Sequence, residues 1–139
     1  MMAAARKDGS REPVAGSRKA ARPLHYSLDV WKDAMRLARE IYRVSAAFPA
    51  SERFGLLLQI RRSAVSVASN IAEGAGRGGR IEYARHLRIA RGSLMELDTQ
   101  LWIARDLKFV ADIEPVQILI QRLAAMLNAL IKKKTMVKT

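Results

Sequence analysis

Leu87, Ala90, Leu94, Leu97, Leu101 and Ala104 follow one another at alternating spacings of three and four residues. On an α-helix that rhythm places all of them on one face. Such an aliphatic row leaves water only by lying lengthwise against similar rows. The stretch predicts a long helix from about Arg80 to Leu107, and that helix needs partners.

Three further segments supply them. The first predicted helix runs from about Ser27 to Ala47, with a stripe of Val30, Ala34, Leu37, Ile41 and Val44 widened by Trp31, Met35 and Ala38. Ser27 is the expected cap, Asp29 suits the positive end of the helix, and Tyr26 with Trp31 forms a hydrophobic staple. Phe48-Pro49 ends it, because a residue before proline resists helical geometry. The second runs from about Ser51 to Ala75, with Leu57, Ile60, Ala64, Val67, Ile71 and Ala75 on one face, and breaks at Gly76, Gly78 and Gly79. After a short turn at Lys108 to Ala111, Asp112 caps a fourth helix reaching about Ile131, its stripe being Val116, Ile120, Leu123, Leu127 and Leu130.

Short connections make consecutive helices antiparallel, so the predicted fold is all-α, an up-and-down four-helix bundle. No sustained period-two alternation supports strands. Leu56, Leu58, Val65, Ile89 and Ile103 lie outside the main stripes. An isolated bundle leaves them partly exposed, which points to a homo-oligomer.

The chain has 139 residues, half of them apolar, enough for one continuous core. It has no cysteine, which removes disulfides, thiolate metal sites and a cysteine nucleophile and fits a reducing compartment. No stretch reads as a signal peptide or a membrane span. The plain expectation is a cytoplasmic protein of bacterial type without a membrane partner.

The net charge of +12 is unevenly spread. Residues 1–26 hold six Lys or Arg against two acids, among scattered Gly and Pro, and read as a disordered basic arm. Residues 132–139 hold four lysines and no acid and read as a basic tail. Residues 27–131, the bundle, carry only the remaining third of the excess. Basic tails attract polyanions by counterion release, and they also serve as solubilising ends. RNA or DNA is thus a candidate partner, with no sequence specificity implied.

Beside the apolar faces run two polar stripes: Gln59, Arg62, Ser66, Ser69, Asn70 and Glu73 on the second helix, and Glu82, Arg85, Ser93, Glu96 and Gln100 on the third. Folding the two helices back through the glycine turn brings Arg62 level with Ser93 and Glu96, and Asn70 and Glu73 level with Arg85 and Glu82. One reading is a network that fixes helix register or an oligomer interface. The other is a contact surface for phosphates, using Arg61, Arg77, Arg80, Arg85, Arg88 and Arg91 together with Lys132, Lys133 and Lys134. Of these, Arg77 and Arg80, at the loop, are the more exposed candidates.

Catalytic chemistry is poorly supported. The only histidines, His25 and His86, form no metal-binding spacing, and His86 with Glu82 reads as a surface hydrogen bond. No serine has an adjacent base. The run Gly74-Ala75-Gly76-Arg77-Gly78-Gly79 lacks the ending of a phosphate-binding P-loop and is first of all a helix break. No cofactor is expected.

The segments GLLLQIRRSAVSVASNIAEGAGR (Gly55 to Arg77) and EYARHLRIARGSLMELDTQL (Glu82 to Leu101), with DVWKDAM (Asp29 to Met35) and IYRVSAAFP before them, resemble the four-helix-bundle family of 23S rRNA intervening-sequence proteins. The resemblance covers about Leu28 to Val110. It implies an up-and-down bundle assembled as a homopentamer. More distantly, the chain is similar to accessory variability determinant proteins of diversity-generating retroelements, which bind nucleic acid and partner a reverse transcriptase. Family-like positions are Gln59, Arg61, Arg62, Ser66, Asn70, Glu73, Gly74, Arg77, Glu82, Gly92, Ser93, Glu96 and Gln100, none with a catalytic role. Gly92 sits inside a helix, either because a neighbouring backbone approaches closely or as a small residue on a solvated face. The expectation is a non-enzymatic oligomeric scaffold that binds nucleic acid or a protein partner through basic surface residues. The alternative is a structural or protein-interaction oligomer with no nucleic-acid role.

Overall fold

The computed structural model describes residues 22–136. The predicted basic arm, up to Ala21, and the end of the tail from Val137 lie outside the described residues. Four α-helices follow one another: α1 Asp29–Ser45, α2 Leu56–Gly76, α3 Arg80–Asp106 and α4 Glu114–Thr135, with short 3-10 turns at Leu24–Ser27 and Ala50–Glu52. They pack in chain order around a closed ring, α1 against α2, α2 against α3, α3 against α4 and α4 back against α1. The up-and-down bundle expected from the spacing is what forms.

The α3 row is completely buried, from Leu87 through Leu94 and Leu97 to Ala104. Facing it are Leu37 and Ile41 of α1, Ile60, Val67 and Ile71 of α2, and Val116, Leu123 and Leu127 of α4. Each such side chain contributes about 1.5–3 kcal/mol by leaving water. The outer residues Leu58, Val65, Ile89 and Ile103 are exposed as expected, whereas Leu56 packs against the core.

Three helix boundaries differ from the sequence reading. The helix expected from Ser27 starts at Asp29, after Leu28, and the Ser27 hydroxyl instead donates to Leu24 O (3.0 Å), closing the preceding 3-10 turn. The Tyr26 and Trp31 rings do stack, 5.8 Å apart. The helix expected from Ser51 starts at Leu56. A 3-10 turn comes first, and the Glu52 carboxylate reaches forward to accept the Leu56 N–H at 2.9 Å. Finally, α4 runs past Ile131 to Thr135, so Lys132, Lys133 and Lys134 form its last turn rather than a tail. Cations there favour the helix, since its C-terminus carries partial negative charge.

Two of the three chain reversals turn on a residue of positive φ. Gly78 adopts φ 79°, open to glycine without strain, between α2 and α3. After α3, Lys108 adopts φ 65° where glycine is usual, and Phe109 N–H returns to Ala104 O (2.8 Å) while Lys108 N–H returns to Arg105 O (2.9 Å). This double closure is the Schellman motif. Phe109 then packs on Phe48, ring centres 5.5 Å apart, joining two loops at that end of the bundle.

Candidate nucleic-acid interface

Antiparallel packing decides which charges meet. The start of α1, the α2–α3 loop and the last turn of α4 all lie at one end. A cavity of about 380 Å³ there is lined by Leu24, Gly78, Gly79, Arg80, Tyr83 and Lys134. Lys134 Nζ lies 5.3 Å from the centre of the Tyr83 ring, and Lys133 lines a neighbouring apolar groove with Leu28 and Met126. Arg80 and Lys134, far apart in sequence, thus share one cavity, with Lys133 on the groove beside it.

The candidate cations divide by their partners. Arg77 is held by Glu73 at 2.7 Å and Arg85 by Glu82 at 3.2 Å. The hydrogen bond from Arg77 holds the Glu73 carboxyl below the ordinary carboxylate value and raises Arg77 in turn, and the bond from Arg85 holds the Glu82 carboxyl below that value. Arg80 and Arg88 are exposed and pair with no carboxylate among the described residues. Two other candidates are tied between helices. Arg61 donates to Ser45 Oγ (2.9 Å) and Tyr42 O (3.2 Å) and stacks on the Tyr42 ring, fastening α2 to the end of α1. Arg91 donates to Asn128 of α4 at 3.0 Å. The strip Arg85, Arg88 and Arg91 therefore has one free cation, Arg88, among the described residues.

The polar stripes of α2 and α3 do face each other. Gln59, Arg62, Ser66, Ser93, Glu96 and Gln100 line a groove of about 310 Å³, in the predicted register. Ser66 and Ser93 share a hydrogen bond of 2.8 Å across the seam, and Asn70 turns back to Ser66 O (2.9 Å). Gln100 is buried, and its Oε1 has no hydrogen-bond partner among the described residues. Nearer the basic end the pairing differs from expectation, because Glu73 faces His86 (3.5 Å) and its own-helix Arg77 rather than Arg85.

His86 is the clearest correction. The histidine expected on the surface is 3 % exposed, with Nδ1 3.0 Å from Glu82 O. The backbones come close here: a Cβ added at Gly74 would stand 2.6 Å from His86 Cβ. At Gly92 the same addition meets nothing within 4 Å, so among the described residues this glycine lies on an open face. Sequence reasoning also missed the α1–α4 ion pair. Arg122 Nε lies 2.9 Å from Oδ2 of the buried Asp33. Asp33 interrupts an apolar stripe, and that was the available signal.

Among the described residues no three His, Asp or Glu side chains converge as metal ligands, and no helix is long and apolar enough to cross a membrane. Fold and surface define a four-helix bundle with a cationic end and a polar seam. The chain belongs to the family of 23S rRNA-intervening sequence proteins, whose pattern matches residues 26–129. No curated protein matches it.

Proposed function

We propose that the protein is a non-enzymatic, self-assembling scaffold that holds nucleic acid by its phosphate backbone at the cationic end of the bundle. One observation supports this reading: chain reversal brings Arg80 and Lys134 to one cavity, with Lys133 on the groove beside it and Lys132 in the same last helical turn, while the acids Glu73 and Glu82 are already engaged by Arg77 and Arg85. Arg22, the first described residue, comes two residues before Leu24, which lines the same cavity. Binding of this kind is electrostatic and sequence-tolerant, and it weakens steeply with salt.

The test is a salt titration of RNA and duplex DNA binding to the full chain. Replacing Arg80, Lys132 and Lys133 together by glutamate is expected to weaken binding of every sequence by roughly a hundredfold at low salt and to flatten the salt dependence. No binding by the unaltered chain at low ionic strength refutes the reading.

Assembly is supported by a separate feature. An apolar groove of about 500 Å³ on α1 and α2 is floored by Leu57, Leu58 and Val65 and rimmed by Arg53 and Arg62. Ile89, Met95, Trp102 and Ile103 stand exposed on α3. These two faces are different, and heterologous contacts between unlike faces build rings where the rotation between subunits closes. A homopentamer, as the family resemblance implies, is the assembly we propose, and light scattering of the purified chain checks it. A monomer removes the scaffold. Assembly without nucleic-acid binding leaves the second reading, a purely structural oligomer.

A further inference from the structure

The short turn before α1 places aromatic rings among the cations of this end. Leu24, which opens the 3-10 turn Leu24–Ser27, lines the cavity that holds Arg80 and Lys134. Leu28, just after the turn, lines the groove that holds Lys133. His25 and Tyr26 therefore stand between two cationic places, with exposed Arg22 before them and exposed Lys32 after them. Asp29 is the carboxylate on that groove, and in the first turn of α1 it answers the positive end of its own helix.

The rings form an ordered stack. Trp31 packs on the core, Tyr26 lies against it at 27° with ring centres 5.8 Å apart, and His25 stands edge-on to both at 5.0 Å. Tyr26 is nonetheless 44 % exposed, so its ring is backed by an indole on one side and open on the rest. A hydrophobic staple needs only covered apolar bulk, which leucine would supply. The other exposed rings have cover of another kind. Tyr42 lies under Arg61 at 4.4 Å, Phe54 under Arg53 at 4.8 Å and Trp102 under Arg105 at 5.0 Å. Among the described residues, Tyr26 is the exposed ring with no cation over its face.

A free aromatic face between cations matches a strand whose bases are unpaired. Each base has a flat face to lay on such a ring, and the phosphates on either side of it meet the cations. Bases inside a duplex give their faces to one another and cannot do this. We propose that Tyr26, held in place by Trp31, is a stacking platform for an unpaired base of a single-stranded nucleic acid, whose neighbouring phosphates lie on Arg80, Lys133 and Lys134. The inference rests on the proposed function and adds to it a preference for single strands over duplex.

Strand preference separates the two claims, because charge alone favours the duplex with its denser phosphates. Binding of the full chain to a labelled single-stranded RNA without self-complementarity, and to duplex RNA of equal length, is measured by fluorescence anisotropy over a range of salt. The platform predicts that the single strand is bound more tightly as salt rises and the ionic part fades. Tyr26→Leu keeps apolar bulk beside Trp31 and is expected to weaken single-strand binding roughly tenfold, with the duplex and the salt slope unchanged. Tyr26→Trp keeps a stacking ring and should retain single-strand affinity. Phe54→Leu removes a more exposed ring at the opposite end of the bundle and should change nothing. A melting curve for Tyr26→Leu matching the unaltered chain confirms that the bundle is intact. If that variant melts lower, the strand preference of the unaltered chain decides, since it needs no substitution. Preference for duplex at every salt, full single-strand affinity in Tyr26→Leu, or equal losses on both nucleic acids overturns the platform while the electrostatic reading stands. Absence of binding to either RNA overturns both.

Discussion

The two ends of the bundle are built from similar residue types and come out opposite in character. At the far end, Arg53, Arg105 and Lys108 sit among Glu52, Asp106, Asp112 and Glu114. There the polar groups are consumed locally. Glu52 caps α2, Asp112 Oδ1 accepts Glu114 N–H at 3.0 Å to start α4, and Arg53 and Arg105 lie over the rings of Phe54 and Trp102. At the near end, α4 finishes in three consecutive lysines, and Arg80 opens α3 with no carboxylate partner among the described residues. Net charge alone does not distinguish a solubilising surface from a binding one. What distinguishes these ends is that acids accompany the cations at the far one and two of its arginines lie on rings, whereas the near one closes on consecutive lysines beside an Arg80 unpaired among the described residues.

That contrast can be broken most directly by matched charge reversal. The Arg80, Lys132 and Lys133 triple glutamate variant is expected to lose about a hundredfold in RNA affinity, and Arg53, Arg105 and Lys108 reversed together are expected to lose only a small fraction of that. Equal losses in anisotropy titrations would show that only total charge matters. Acidity sharpens the same comparison. Glu73 and Glu82 are held below the ordinary carboxylate value by Arg77 and Arg85. Their contribution to stability is therefore present above the unfolded-state value and is lost as pH falls through the lowered one. RNA affinity should move the other way, rising as the acids neutralise and release the two arginines. Glu73→Gln with Glu82→Gln should bind RNA more tightly at neutral pH and flatten this response.

The ends also differ in how they hold the backbone. Near the cationic end α2 and α3 touch at Gly74 and His86, and a methyl group there has no room. Gly74→Ala is expected to cost about 1–3 kcal/mol of unfolding free energy in urea melts, because a Cβ against another Cβ cannot be relieved by a rotamer change. At the far end the backbone carries strain in place of tight contact. Lys108 occupies a left-handed conformation at φ 65°, and Lys108→Gly should stabilise the fold by about 1 kcal/mol, measured the same way.

How much of this was legible in the sequence follows from range. The helices and their buried faces were readable because spacings of three and four are local, and Leu87 through Ala104 announce one face without reference to anything else. The shared groove of Arg62, Ser93 and Glu96 was also readable, since one glycine turn fixes the register of two long helices. The boundaries at Ser27 and Ser51 were misread because a cap-forming residue type was present in each case, but a 3-10 turn used it or displaced it. His86 was misread because a polar residue at the margin of a stripe can face the solvent or the seam, and only the close approach at Gly74 decides which. Lys134 over Tyr83 and Arg122 on Asp33 join segments many residues apart, and local spacing cannot report such pairs.

Gly92 gives the smallest effect and tests the part of the proposal that one chain cannot hold. In the isolated bundle a Cβ at this position meets nothing, and glycine inside a helix costs about 0.5–1 kcal/mol relative to alanine. Gly92→Ala should therefore stabilise a free bundle by that amount. In an assembly that brings a neighbour's backbone against α3, the same methyl group is expected to collide and to weaken association. Thermal melts at dilute and concentrated protein distinguish the cases. A gain that persists at all concentrations means Gly92 faces water, whereas one that reverses as subunits associate places the interface on the open face of α3, beside Ile89 and Met95.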